Sequence, residues 1–204
     1  MSAHTFQAAE AALRALNTAA ENIWIDCHAH WPTLSIEAVP TIDSTNSALM
    51  RRARAGQLDP TVMMAVTQSA GKGRSGKHWI SPAGDSLSFS VGLPLTNVTG
   101  LAGLSLVVGA VLAEQLSPRV HIKWPNDLLL DGRKLGGILI ESRVLGDERF
   151  FFAIGFGLNL FMSAEELACL DRPATSLSQA SAQEIDRNAL LVASIEAVIA
   201  ANRS

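Results

Sequence analysis

Apolar residues recur along this chain at two spacings, and the switches between them outline its elements. Phe6, Ala9, Leu13 and Leu16 fall at helical spacing in an Ala-rich stretch, which predicts an amphipathic helix over about residues 5–20. Residues 22–40 carry Trp31-Pro32 and Val39-Pro40 and read as an irregular connection. A second helix is expected after Ser44, whose hydroxyl suits an N-cap, fading near Arg54-Ala55-Gly56. Val62–Gln68 is rich in β-formers and reads as a strand. Over residues 86–93, small or polar side chains alternate with apolar ones, the two-residue strand period. Residues 100–116 are apolar nearly all round, which predicts a buried helix.

The second half is built from shorter runs. Val120–Trp124 reads as a strand broken by Pro125-Asn126-Asp127, and Leu128–Leu130 resumes it. Asp131-Gly132 then turns the chain tightly and Leu135–Glu141 returns. A further strand, Arg149–Leu160, follows a Gly146-Asp147 turn. Ser181 and Glu184 stand at capping-box spacing ahead of an apolar stripe through Ile185, Val192, Ile195 and Ile199, which predicts a last helix. Strand runs joined by tight turns, with a few helices among them, predict an α+β domain. Its sheet should be mixed or mostly antiparallel and flanked by helices.

Composition narrows the classes without choosing one. The 204 residues are 48% hydrophobic and 17% charged, which suits a well-packed core. A net charge of -3 offers no basic footprint, so no DNA partner is expected. Two cysteines, Cys27 and Cys169, are too few for a disulfide framework. The N-terminus lacks a signal pattern and no run approaches the roughly 18 apolar residues of a membrane span, so a cytoplasmic protein is expected. Asp26-Cys27-His28-Ala29-His30 has no second cluster at zinc-finger spacing and reads as a satisfied connection. Cys169 is expected in the core and His121 on a strand face.

Three stretches carry chemistry. Gly71-Lys72-Gly73-Arg74-Ser75-Gly76-Lys77 places three cations among three glycines. Glycines let the backbone approach a ligand closely and present N–H groups to an anion, although a flexible solvated loop has a similar composition. The spacing is not that of a Walker loop, because His78 follows Lys77, and no helix pattern opens after it as a dinucleotide fingerprint requires. Lys123-Trp124-Pro125-Asn126-Asp127 sets an amide and a carboxylate at a rigid bend. Asp127 there suits either a Mg²⁺ ligand facing phosphate oxygens or a plain turn residue. Arg133-Lys134-Leu135-Gly136-Gly137 opens a strand with a lysine just past a turn. Its glycines permit close approach, while a lysine so placed is by itself more often a solvent-facing hairpin end.

In this order the three stretches resemble the catalytic domain of biotin–protein ligases. The matching runs are Gln68-x-x-Gly-Lys-Gly-Arg-x-Gly-x-x-Trp79, Lys123-Trp-Pro-Asn-Asp127 and Lys134-Leu-Gly-Gly-Ile-Leu-Ile-Glu141. Asp43-Ser-Thr-Asn46 upstream and Ile154-Gly-Phe-Gly-Leu-Asn159 downstream also match, so the likeness extends over about residues 38–202. It divides the chain into an N-terminal helix and connection, 1–38, and a catalytic domain, 39–204.

The resemblance implies ATP-dependent formation of biotinoyl-5′-AMP, then transfer of biotin to a lysine of a biotin carboxyl carrier domain. Biotin would be held by Ser44, Thr45, Asn46, Gln68, Gly71, Lys72, Gly73, Arg74, Lys134, Gly136 and Gly155. A ureido group offers both donors and acceptors, which hydroxyls and amides can answer. Arg74, Lys77, Trp79, Lys123, Asn126, Lys134 and Asn159 would hold ATP, and Asp127 would carry Mg²⁺. Lys134, Arg74 and Lys72 are the implied catalytic cations, since a carboxylate must meet a phosphate. The glycine loop would also act as a lid protecting a water-sensitive anhydride.

This sequence departs from the family pattern in places. Lys72 and Ser75 replace arginines common in relatives, which loses the planar guanidinium fork. Residues 1–38 are too short for the winged-helix domain of some members, so no repressor role is expected. The resemblance implies an SH3-like barrel after the catalytic domain in relatives, and none is expected within residues 39–204. The alternatives are a lipoate or octanoate ligase or transferase on the same scaffold, or a biotin-binding module with impaired transfer. A homodimer through a sheet edge is among the assemblies the resemblance allows.

Overall fold

The computed structural model describes residues 3–29, 31–95, 101–146 and 149–179, together with 191, 192, 194, 195 and 198. Its centre is a seven-stranded mixed sheet. In chain order the strands are β1 (Ser35–Ile42), β2 (Thr61–Gln68), β3 (Ser86–Leu95), β4 (Val120–Lys123), β5 (Asp127–Leu130), β6 (Arg133–Gly146) and β7 (Arg149–Asn159). Across the sheet they run β1-β2-β3-β7-β6-β5-β4. Only β1 and β2 pair in parallel; every other neighbouring pair is antiparallel. Among the described residues, α1 (Ala3–His28), α2 (Thr45–Arg54), α3 (Leu101–Leu116) and the short α4 (Ala164–Ala168) are helices, and 191, 192, 194, 195 and 198 are helical as well. The expected α+β class with a mixed, mostly antiparallel sheet is what forms.

Alternation along the central strands divides the sheet into two unlike faces. Leu87, Phe89, Val91 and Leu93 of β3 join Phe152, Ile154, Phe156 and Leu158 of β7 in the main core. The rings of Phe89 and Phe156 stack at 4.5 Å within it. α1 and α3 supply that core with Ala12, Leu16, Ala19, Ile23 and Cys27, and with Leu104, Val108 and Leu112. Those positions recur every three or four residues, the stripe a helix turns toward a sheet. Leu191, Ile195 and Val198 are buried in the same core, whereas Ser181, Glu184, Ile185 and Ile199 lie outside the described residues.

On the opposite face α2 packs Ala48, Leu49, Met50 and Ala53 against Met63, Phe151 and Ala153. Ser44 caps α2 as expected, accepting from Ser47 N. Two bidentate ion pairs fasten the helix. Arg52 grips Glu37 of β1, with N–O distances of 2.6 and 2.7 Å, and Arg51 grips Asp43. Each arginine's hydrogen bonds hold the partner carboxyl below its ordinary range.

Several expectations need correction. Residues 22–40 are not an irregular connection: α1 continues to His28, and Ser35–Ile42 forms β1. β1 tolerates Pro40 because it is an edge strand, where a missing N–H interrupts little, and Pro40 has no partner in the register with β2. The division at residue 38 consequently falls inside β1. α3 is not buried all round, since Val107 is 49% exposed on its outer side. Cys169 is exposed, while Cys27 is the buried cysteine. His28, from the apparent metal cluster, stacks its ring on Trp24.

Candidate active site

Beside α2, the second face of the sheet is left almost bare. Ser88 of β3, Gly157 of β7, Gly137 of β6 and Asp127 of β5 pair in one row across four strands. Ser90, Gly155 and Leu139 form the next row. With so little side chain on these rows, a cavity of about 720 Å³ opens above them. It is roofed by the loop Lys72–Ile80 and walled by Cys169–Arg172 and Ala174. Its size lies within the range of about 300–1,000 Å³ typical of small-molecule sites.

One end of the cavity is a polar network. Gln68 Oε1 accepts from Thr45 N at 2.8 Å and from Thr45 Oγ1 at 3.2 Å. Thr45 Oγ1 lies 2.7 Å from Ser90 Oγ, which donates to Asn46 Oδ1 at 2.6 Å. Asn46 Nδ2 in turn faces Leu139 O, Ala153 O and Glu141 Oε2 at 3.0–3.3 Å. Asn46 fits because residue 155 is glycine; a Cβ there would stand 2.5 Å from Asn46 Oδ1. Asn46 therefore spends its hydrogen bonds on the protein.

In the middle lies Trp79. Its indole rests directly on Gly157, where a Cβ would come within 2.4 Å of the ring, and its Nε1 donates to Ser88 Oγ at 3.1 Å. The loop before it is pinned at its base: Trp79 N donates to Gly71 O at 2.9 Å and Gly73 N to Lys77 O at 2.7 Å. Gly71 is required there, since its Cβ would meet Trp79 O at 2.4 Å. At the tip, Ser75 takes a left-handed conformation (φ 57°). Arg74 and Lys77 line the cavity and, among the described residues, form no ion pair. Lys72 Nζ stands 3.8 Å from Glu141 Oε1.

The far end is built by a strand irregularity. Asp131 and Gly132 both have positive φ (49° and 75°), as the tight Asp-Gly hairpin turn requires. After it, Leu129 pairs with Lys134 but Leu128 pairs with Gly136, so Leu135 is an extra residue in β6. An extra residue reverses the alternation. Leu135 becomes fully buried in the main core, and Lys134 reaches the opposite face. There Lys134 Nζ donates to Asp127 Oδ1 at 2.6 Å. Both groups lie beside Gly137, where a Cβ would contact Asp127 Oδ1, Lys134 Nζ and Asn126 O at 3.5 Å. Asn126 is held in place by exchanging hydrogen bonds with Ile138, and Asn159 donates to Thr175 O.

Most residues singled out from the sequence thus line one cavity: Ser44, Thr45, Asn46, Gln68, Lys72, Gly73, Arg74, Lys77, Trp79, Asn126, Asp127, Lys134, Gly155 and Asn159. Three do not. Lys123 is exposed on the edge strand β4, Gly71 packs under Trp79, and Gly136 lets β6 approach β7, where a Cβ would stand 2.4 Å from Gly157 O. Ser90, Gly137 and Gly157 also line the cavity, and Ser88 holds the Trp79 indole; none of the four is singled out by the motifs. Their signal lies in small side chains repeating every second residue. Asp171 and Arg172 were missed as well, in a short loop with no periodic signal.

A seven-stranded mixed sheet with cations and a carboxylate gathered over a face of small residues defines a small-molecule binding scaffold. The profile of the biotin/lipoate A/B protein ligase family matches residues 38–159, and the chain belongs to that family. Among similar proteins is the bifunctional ligase/repressor BirA of Escherichia coli, 39% identical over 162 residues, which make up 76% of this chain and 50% of the relative. Another is the biotin–[acetyl-CoA-carboxylase] ligase of Mycobacterium tuberculosis, 35% identical over 163 residues, covering 75% and 58%. This chain therefore spans about half the length of the curated relatives it matches. The crystal structure of Leishmania major biotin protein ligase in complex with biotinyl-5-AMP superposes with a TM-score of 0.64 at 26% identity, covering 84% of this chain and 75% of that one.

Proposed function

We propose that this chain activates biotin with ATP to form biotinoyl-5′-AMP and passes the biotinoyl group to a lysine of a biotin carboxyl carrier domain. The observation that carries this reading is the convergence of Lys134, Arg74, Lys72 and Lys77 on one cavity above a nearly bare sheet face. In the first step a biotin carboxylate oxygen attacks the α-phosphorus, the bond to the bridging oxygen breaks, and pyrophosphate leaves. Two anions must approach, so fixed cations lower the barrier by offsetting their repulsion and the charge on the departing group. In this reading Lys134 touches both reactants, with Arg74 and Lys72 approaching from the loop. In the second step the carrier amine attacks the acyl carbon, AMP departs, and the new amide sheds a proton.

The remaining residues bind and orient. Gln68 Nε2 and the Ser44–Thr45 segment face the end suited to the ureido ring, while Asn46 acts by bracing that end. Trp79, Asn126 and Asn159 support the nucleotide. Asp127 is a suitable ligand for Mg²⁺, which favours oxygen donors and is often held by one or two carboxylates together with phosphate oxygens. The space beside Gly137 suits that role, and Lys134 would have to release Asp127 Oδ1. Bound there, Mg²⁺ would supply further charge neutralisation on the phosphates.

Among the described residues no helix is long and apolar enough to cross a membrane. A cytoplasmic setting, where carboxylase carriers and ATP meet, suits this reading. The test is mass spectrometry of a carrier domain incubated with the chain, ATP, Mg²⁺ and biotin. A gain of one biotinoyl group is expected, and none when lipoate replaces biotin. A lipoyl adduct would favour the lipoate reading instead. Biotinoyl-AMP without carrier modification would leave only the activation half.

A further inference from the structure

We propose that Arg172 binds the phosphate chain of the nucleotide, and that the neighbouring Asp171 carboxylate occupies its guanidinium as a substitute anion until the nucleotide arrives. The inference rests on the ligase reading above and adds to it a binding residue outside the glycine loop and the β5–β6 hairpin.

The placement of Arg172 comes from the backbone. Lys134 N donates to Pro173 O at 3.0 Å, and Thr175 N donates to Lys134 O at 2.9 Å. Asn159 Nδ2 holds Thr175 O from β7. The segment Asp171–Thr175 is thereby stitched to the same residue that supplies the central lysine. Both Asp171 and Arg172 line the cavity.

The side chains point to an anion. Arg172 Nε donates to Asp171 Oδ1 at 2.8 Å and Arg172 Nη2 donates to Asp171 Oδ2 at 3.1 Å. That two-pronged grip is also how a guanidinium takes two phosphate oxygens. Arg172 is 29% exposed, whereas Asp171 is 71% exposed and stands in water. An ion pair so open costs little to exchange, because such pairs contribute almost nothing to stability.

The surrounding charge supports the same position. Arg172's hydrogen bond first, and then the charges of Arg172, Lys77 and Lys134, hold the Asp171 carboxyl below its ordinary range. Lys77 comes from the lid loop and Lys134 from β6, so cations from three separate segments act on one exposed carboxylate. On the other side, Asp171 and more weakly Asp127 raise Arg172. A phosphate chain lying between Lys134 and Lys77 would meet Arg172 once Asp171 swings into solvent. A simple surface ion pair between sequence neighbours would not require either lysine.

Calorimetric titration of the full chain with ATP's α,β-methylene analogue, whose α–β bridge cannot break, in the presence of Mg²⁺ and biotin, tests this directly. Arg172→Gln should weaken analogue binding about tenfold, the scale of a lost charge-assisted hydrogen bond, and Arg172→Lys should recover part of it. Biotin affinity measured without ATP should stay within about twofold of wild type. Asp171→Asn should shift in the opposite direction, tightening analogue binding about two- to threefold, because the competing anion loses its charge. Equal analogue affinity in wild type and Arg172→Gln would overturn the proposal, as would weakening by Asp171→Asn. A wild-type chain that binds ATP but forms no biotinoyl-AMP would end the ligase reading while the Arg172 titration still decides this one. Wild-type chain that binds no ATP would end both.

Discussion

The two faces of the central sheet are made by the same strands, yet they have opposite contents. Phe89, Ile154, Phe156 and Leu158 fill one face; Ser88, Ser90, Gly155 and Gly157 leave the other open. Because strand side chains alternate, each apolar residue that builds the core is followed by a small one that leaves space. Stability and binding are thus carried by neighbouring residues that face away from each other. Mutations one position apart should therefore separate the two properties.

The largest effect is expected on the filled face. Phe156→Ala removes a ring stacked on Phe89 and should destabilise the fold by about 3–5 kcal/mol, read by urea unfolding. In thermal unfolding this corresponds to a fall on the order of 10 °C for a chain of this size. Gly157→Ala, the next residue, should act on the other property. Its methyl would displace the Trp79 indole, so biotinoyl-AMP formation should fall about tenfold, or roughly 1.4 kcal/mol, with a smaller change in the urea midpoint. Equal losses of stability in the two variants would break the comparison.

The smallest effect tests the border where α2 covers the second face. Glu37 is held below the usual 4.5 by its hydrogen bonds to Arg52. A lowered carboxyl contributes stability above its unfolded value and loses it as pH falls through the folded one. Glu37→Gln should therefore lower the unfolding temperature by about 2 °C near neutral pH, the scale of a half-exposed ion pair. The gap to wild type should close as pH drops below 4.5, which a pH series of melting curves would follow.

Much of this arrangement is readable in the sequence, for local reasons. Asp131-Gly132 specifies its hairpin because both positions need positive φ, and Ser44 specifies its cap because its hydroxyl meets an unpaired N–H. The alternation in residues 86–93 announces β3, although the period alone does not say that its small residues face a ligand. β1 escapes notice because Pro40 interrupts a run that only an edge strand accepts. Lys134 was found, but the way it reaches the cavity was not. The extra residue Leu135 that turns it there exists only in the pairing with β5. Lys123, in the matching run, pairs with Asp127 and so shares its sheet face, but stands exposed on the edge strand β4 beyond the cavity lining. Arg172 carries no local signal, because its position depends on backbone bonds to Lys134, 38 residues away in sequence.

The bare face is proposed as a biotin-adenylation site organised around Lys134. Biotin-dependent exchange of labelled pyrophosphate into ATP, measured for the wild-type chain and for Lys134→Met, tests it most directly. The account predicts exchange that requires biotin in the wild type and a loss of at least about 100-fold in the variant, as for removal of a group that stabilises transition-state charge. Exchange retained in Lys134→Met at near wild-type rate would contradict it.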